Sequence, residues 1–271
     1  MNWLIVLIIA KPQPMKILKL STLQKIYFFL FLHLIIVIVD MFLHRFDFVF
    51  LFYSLISSIV LGLLGREIAL HRLWSHRSFK TYRFIEYILM IPSILMLVGS
   101  SIISAGVHRS HHAYSDTAKD PDFYTSWTKA LLFLRSNPLY FERRFVKDLI
   151  QDPLHIYCHK YYFYIHMTIS ILLLYILKIH LFAWIISLSI AINFFGYLLF
   201  HKICHTKNFI GNYRNFNTND ISHNNWLLFF VHPGYGLHNN HHQDTAQYHF
   251  GKISDQVDPV GFFIKYFLLK K

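Results

Sequence analysis

The chain has 271 residues, of which 55% are apolar, 18% aromatic and only 15% charged. That composition points away from a soluble globule and toward one membrane-embedded domain. The formal net charge of +12 does not indicate nucleic acid, because no basic helix or RNA-binding signature occurs and the cations fall between apolar spans, while Cys158 and Cys204 stand too far apart to suggest a disulfide framework and point to a reducing compartment.

Residues 1–10 are apolar but run into Lys11-Pro-Gln-Pro14 without a basic leader or a cleavage site, so an interfacial start is expected over the first 14 residues. Ile26 to Leu43 reads as the first span and Phe48 to Leu70 as the second, since about 20 helical residues cross the hydrocarbon core. The turn His44–Asp47 is short enough to make them a hairpin. Arg66, Glu67 and the block His71-Arg-Leu-Trp-Ser-His76 follow where the second helix leaves the bilayer. The next apolar run, Tyr87 to Val107, is interrupted by Pro92, Gly99 and Gly106. It is read as re-entrant or interfacial over residues 87–107, because a crossing there would separate His71 and His76 from the next histidines by a membrane.

That second block is His108-Arg-Ser-His111-His112, followed by a turn at Asp116 and Asp120-Pro121 and by Arg135, Arg143, Arg144 and Lys147 on an expected amphipathic helix. Tyr161–Leu177 and Leu181–Phe200 form a second expected hairpin around Lys178 and His180. The third block, His238-Asn-Asn-His241-His242, lies in a polar tail where Asn224-Asn225 would cap a short helix near Trp226. The expected fold is all-α and integral to the membrane: four transmembrane helices in two hairpins (about 26–43, 48–70, 161–177 and 181–200). A helical cap of residues 71–160 and 201–271 would hold a histidine-rich metal site, which the family resemblance given below makes a dimetal one. Of 26 Lys and Arg, only Arg45 and Lys178 fall in the hairpin turns, and Lys11, Lys16, Lys19 and Lys25 precede the first span. The positive-inside rule then puts the histidine end in the cytoplasm.

With 19 His in the chain, about 0.1 His-x-x-His-His blocks are expected by chance, so two of them are a signal. On an α-helix, positions i, i+3 and i+4 share a face, which turns the three imidazoles of each block toward one point. The His-x4-His spacing of 71 and 76 is expected about once by accident and draws its weight from its position. Neutral imidazole suits iron, copper, zinc or nickel, and neither a zinc-finger cysteine spacing nor His-Glu-x-x-His is present.

From about Arg66 to Pro259 the sequence resembles the membrane-bound fatty acyl desaturases of the Δ9 acyl-CoA desaturase type. The likeness rests on His71–His76 in full, on His108-Arg-Ser-His-His with Tyr-Ser-Asp-x3-Asp-Pro through Pro121, on Tyr213-Arg-Asn-Phe216 and on Gly236-Leu-His-Asn-Asn-His-His242. It implies a single desaturase domain over residues 1–271, shaped as a four-helix transmembrane mushroom with a cytosolic cap. It also implies two iron ions held by nine histidines, and O2 as co-substrate for a cis double bond in a long-chain acyl group lying in a tunnel. By the resemblance the ligands are His71, His76, His108, His111, His112, His205, His238, His241 and His242. His201 stands where the family usually places an asparagine that holds a metal-bound water, and would be either a tenth ligand or a partner of that water. Gly234-Tyr235-Gly236 stands where Gly-Glu-Gly is common. The acyl group would be carried by coenzyme A, a carrier protein or a lipid. No Gly-x-Gly-x-x-Gly fingerprint for a flavin or nicotinamide occurs, so electrons would come from a separate carrier such as cytochrome b5, ferredoxin or rubredoxin.

A ligating imidazole usually gives its other N–H to a carboxylate or carbonyl, for which Glu67, Asp116 and Asp120 are the candidates. His33, His166 and His180 read as packed or interfacial, and His155, His159, His223, His232 and His249 lack block spacing. Trp74, Trp127 and Trp226 are tunnel-wall candidates or interface anchors. Arg109, Arg143, Arg144 and Lys147 would grip an anionic headgroup, contact anionic lipid or enforce topology. Two other functions stay open at this point: a histidine-box diiron hydroxylase of lipids or alkanes, and a non-enzymatic membrane metal-binding protein. A transporter would place its ligands at mid-membrane depth, whereas these fall at helix ends and in loops.

Overall fold

The computed structural model describes residues 20–44, 46–122, 126–128, 141–232, 234–253 and 256–270. The expected interfacial start and the position of Arg135 lie outside them. The architecture is helical, with one short antiparallel ladder pairing Asn212–Tyr213 with Asn224–Asn225.

Among the described residues three helical stretches are long and apolar enough to cross a membrane: Thr22–His44, Phe48–Ser75 and Tyr162–Cys204. The first lies within α1 (Leu20–His44). The second is α2 (Phe48–Leu61), capped by the Asp47 carboxylate, which accepts the Val49 N–H at 2.7 Å. It runs on without a break into a π-helix, Gly62–Ser75, so the first histidine block sits on the end of a membrane helix.

The third stretch comprises α6 (Tyr162–Leu181), a π-helical turn (Phe182–Leu188) and α7 (Ser189–Cys204). Lys178 within it is non-helical at φ 61°, ψ 169°. One ring on α1 shows what that does. The two nitrogens of His33 reach Ser187 Oγ at 2.9 Å and His166 Nε2 at 3.2 Å. On a straight helix those two residues would lie about 30 Å apart; the chain therefore doubles back at Lys178. Ser54 Oγ donates to Trp184 O at 2.7 Å and Asn193 Nδ2 to Ser58 O at 3.0 Å, tying α2 to the returning arm through polar groups. Outward faces leave Phe28, Phe42, Phe48, Phe52, Leu172 and Ile176 exposed, a surface suited to lipid.

Residues 87–107 form parts of two short helices, α3 (Arg83–Leu95) and α4 (Ser101–Tyr114), with a break between them. Leu97 and Gly99 have φ of 56° and 99° in that break, and the Ser100 hydroxyl caps α4. A Cβ on Gly106 would lie 2.5 Å from the Phe141 ring, so glycine is required for α4 to approach the cap. After two 3₁₀ turns (Arg143–Val146 and Leu149–Gln151) comes α5 (Pro153–Lys160). Beyond α7 lie α8 (Trp226–Val231), α9 (His238–Gln243) and α10 (Pro259–Phe263). Asn225 caps α8, accepting the Leu228 N–H at 3.0 Å.

One buried and one half-buried ionic contact close the cap. Arg72 meets Asp258 at 2.7 Å, both almost fully buried, while Asp258 also accepts the Phe250 and Gly261 N–H groups. Arg109 donates to Ser75 O at 2.6 Å and to Asp148 at 2.7 Å, clamping the first block to the 3₁₀ turns. At the other end of the bundle Asp40, fully buried, accepts from His44 Nδ1 at 2.8 Å, His180 Nδ1 at 2.8 Å and Trp184 Nε1 at 2.9 Å. That carboxylate holds the two hairpin ends together. Asp40→Ala would strand the buried Trp184 Nε1–H, costing about 1–3 kcal/mol when left unsatisfied, and would release the more exposed His44 and His180 rings. Thermal unfolding in detergent should show a markedly lower Tm, and an unchanged Tm would contradict this account.

Candidate metal centre

Four separated stretches converge at one end of the bundle. The first pair depends on the π-helix. There the His76 N–H bonds to His71 O at 3.0 Å, an i to i+5 link, so residues five apart stack on one face. His71 and His76 rings lie 5.0 Å apart as a result. An α-helix would have splayed them. The other blocks use ordinary α-helical spacing: His108 and His112 on α4, His201 and His205 at the end of α7, His238 and His242 on α9.

The rings gather into two adjoining groups. Nitrogens of His71, His76, His108 and His241 lie within 4.8 Å of one another. His112 joins them, its Nε2 being 3.1 Å from His108 Nε2 and 3.0 Å from His241 Nε2. A second group unites His111, His201, His205 and His238 within the same limit. His242 belongs here, its ring 4.5 Å from that of His238 and 5.0 Å from that of His205. Each His-x-x-His-His block is therefore divided, correcting the expectation that its three rings face one point. The i and i+4 rings serve one group and the i+3 ring crosses to the other: His111 leaves His108 and His112, and His241 leaves His238 and His242.

Carboxylates line the outside. Glu67 contacts His71 Nδ1 at 3.1 Å, Asp120 contacts His111 Nδ1 at 2.8 Å, and Asp116 contacts His205 Nδ1 at 3.0 Å. Asp220, which spacing gave no reason to single out, accepts from His242 Nδ1 at 2.6 Å. A ring donating from Nδ1 keeps a lone pair on Nε2, and these lone pairs point inward. The buried Nε2 atoms of His111 and His242 have no hydrogen-bond partner among the described residues. Inward Nε2 atoms elsewhere approach as close as 2.7 Å (His76 and His108), 3.0 Å (His71 and His241) and 2.9 Å (His205 and His238). Neighbouring ligands about 2.1 Å from one ion at right angles would stand about 3 Å apart, so the donors fit transition-metal ions.

Burial holds the imidazoles of His108, His112, His238 and His241 well below their ordinary pKa, with neighbouring rings adding to the effect. Burial likewise takes His242 down to about 3 against the opposing pull of Asp220. His111 goes the other way: burial lowers it, but the Asp120 carboxylate, with Asp122 and Asp116 beyond, raises it overall. Neutral rings are the form that binds metal.

Beside the two groups lies a cavity. Leu23, Ile26, Phe194 and Leu198 form its apolar part, and His71, His108, His201 and His238 border it toward the imidazoles. Arg66 and Glu67 also line it; the Arg66 guanidinium lies 3.1 Å from the Tyr197 ring centre and donates to Tyr235 Oη at 3.0 Å. A Cβ on Gly234 would fall 2.1 Å from Glu67 Oε2, so the Gly-Tyr-Gly sequence serves this carboxylate and this guanidinium.

Several residues serve elsewhere. Arg109 is consumed in the clamp described above, and Arg144 pairs with Glu142. Trp74 is buried edge-on to His155, Trp127 stacks near Phe209 and Trp226 is exposed; the cavity wall contains none of the three. His155 and His159 bond Ser101 and Ser100, His223 contacts Ile221 O, His249 packs on Phe262 and His232 packs on Tyr235. The asparagines of the third block have a role that pattern alone did not reveal. Asn239 Oδ1 accepts the N–H groups of Asn215 and Phe216 at 2.9 Å, and Asn240 Oδ1 accepts from Asn224 and Asn215. The Tyr-Arg-Asn-Phe segment is thus the brace that sets α9.

Taken together these features define a helical membrane protein with a candidate dimetal centre beside an apolar cavity. The fatty acid desaturase family model matches residues 48–259. Similar proteins include an sn-1 stearoyl-lipid 9-desaturase of Anabaena variabilis, 32% identical over 189 residues, 68% of this chain and 67% of the relative. An acyl-CoA C20 Delta5-desaturase of Anemone leveillei is 29% identical over 76% of this chain and 67% of its own. Delta-9 acyl-lipid desaturase 2 of Arabidopsis thaliana is 27% identical over 80% and 70%. The chain belongs to the fatty acid desaturase family and is an oxidoreductase of that kind.

Asp220→Ala tests the outer shell. Losing such a partner costs about 10–100-fold in metal affinity, so titration with ferrous iron should show a loss of that size. Wild-type affinity would mean that the His242 ring is held by other contacts.

Proposed function

We propose that this protein is a multi-pass membrane enzyme that introduces a cis double bond at the Δ9 position of a long-chain acyl group, using O2 and two electrons at a pair of histidine-held iron ions. The observation that supports it best is the adjacency of two imidazole groups to a cavity whose far part is apolar. One ion would take His71, His76, His108, His112 and His241; the other would take His111, His205, His238 and His242. When bound, the irons supply with O2 the oxidising power that removal of hydrogen from an unactivated methylene requires and that acid–base side chains lack.

The chain's own residues do the rest. Leu23, Ile26, Phe194 and Leu198 hold the hydrocarbon and exclude water. Glu67, Asp116, Asp120 and Asp220 keep protons at Nδ1, so that Nε2 stays free on His71, His205, His111 and His242. Rings on rigid helices leave little to reorganise during the reaction.

The reversal at Lys178 divides Tyr162–Cys204 into two crossings, which with α1 and α2 makes four. The basic residues concentrate away from the hairpin turns, so the metal end, with its cap of residues 71–160 and 201–271, faces the cytoplasm. Residues 87–107, folded back as two short helices, remain on that side. The Δ9 position follows the names of the Anabaena and Arabidopsis relatives. Electrons arrive from a separate carrier of the cytochrome b5, ferredoxin or rubredoxin kind.

Gas chromatography of fatty acids from cells expressing the protein tests this reading. A new Δ9 monounsaturated product is expected, with loss to background in His111→Ala and in His241→Ala while both variants stay in the membrane fraction. Undiminished product in either variant overturns the ligand set, and a hydroxylated product from the unaltered protein overturns desaturation.

A further inference from the structure

His201 occupies a position where the family resemblance implies an asparagine and a water. It lies in the last turn of α7, buried, four residues before His205. Its ring is 4.6 Å from that of His111 at 73° and 4.6 Å from that of His205 at 23°, and 6.1 Å from that of His238. One of its nitrogens falls within 4.8 Å of a nitrogen on each of those three rings.

Two buried histidines outside the centre reach a hydroxyl through Nδ1: His33 bonds Ser187 and His155 bonds Ser101. His201 instead turns its ring among imidazoles, with Tyr197 as its other ring neighbour.

The pairing scheme gives this position its meaning. The first group consists of two helical pairs, His71 with His76 and His108 with His112, plus the crossing ring His241. The second has the pair His238 with His242 and the crossing ring His111, which leaves His205 single unless His201 completes its pair at i and i+4. With His201 both groups have the same composition: two pairs and one crossing ring, five imidazoles each.

We propose that His201 is a tenth metal ligand, giving the second ion five nitrogen donors and taking the place of the asparagine-held water. This rests on the dimetal reading above. It alters no residue of the first group, so its direct effect falls on the coordination of one of the two ions. A neutral ring in that place brings no proton to the second metal, whereas a water would.

The test is Mössbauer spectroscopy of the full-length purified protein loaded anaerobically with ferrous ⁵⁷Fe. His201→Asn, His201→Ala and His44→Asn, the last at the opposite end of the bundle, are compared with the unaltered protein, with iron counted in each. The expected result is a shift in one of the two iron signals in both His201 variants, reversal of that shift in His201→Ala by added imidazole, and no shift in His44→Asn. His201→Asn keeps a polar side chain and guards against a folding defect. Spectra identical to the unaltered protein in both His201 variants, with two irons per chain, overturn the tenth ligand and leave the dimetal reading standing. Unaltered protein that takes up no iron overturns both.

Discussion

A crowd of buried imidazoles favours neutral rings whose outward nitrogens are held by a partner. Protonated, they would repel one another at a few ångströms in a medium with little power to screen. The structure meets this constraint by separating the two nitrogens of each carboxylate-bound ring. Nδ1 of His71, His111, His205 and His242 faces an acid outside the cluster, and Nε2 faces inward. Much of the cap follows from that requirement. The clamp of Arg109, the Arg72–Asp258 pair and the asparagine brace under α9 all fix helices whose rings must keep one orientation.

Two scales of organisation meet at the ends of the apolar helices. Because α2 passes into a π-helix and α7 ends at Cys204 beside His205, the His71/His76 and His201/His205 pairs ride on helical stretches as long as the bilayer is thick. The remaining rings ride on the short helices α4 and α9, which have no such length to steady them. The glycine at 106, the capping hydroxyl of Ser100 and the contacts of Asn239 and Asn240 are where that steadiness is made up.

Much of this was legible in the residues, and what was not has definite causes. Hydropathy located the apolar helices, and the two His-x-x-His-His blocks identified six of the rings that converge, while His205 came from the family resemblance. Spacing did not foresee how the rings divide, because an i, i+3, i+4 triplet spans an arc wide enough to face two neighbouring points as readily as one. The 71 and 76 spacing carried little weight because about one such pair is expected by chance at this composition; a π-helix makes five the natural interval. Glu67, Asp116 and Asp120 were found by nearness in sequence to the blocks, whereas Asp220 reaches His242 from a loop with no periodic relation to it. The tryptophans were open between cavity wall and interface anchor; Trp74 is buried inside the cap and Trp226 is exposed at its surface.

The exchange of His111 and His241 between the groups has a thermodynamic corollary. Each of α4 and α9 is a single rigid lever with rings in both pockets, so an ion that orders either helix at one pocket also orders its ring at the other. The entropy of fixing those helices is met once for two occupants. Two ions bound there would have linked occupancies, linked equally in both directions by reciprocity. Half-filled protein would then be the minority species, an economical arrangement for the two-metal chemistry proposed above.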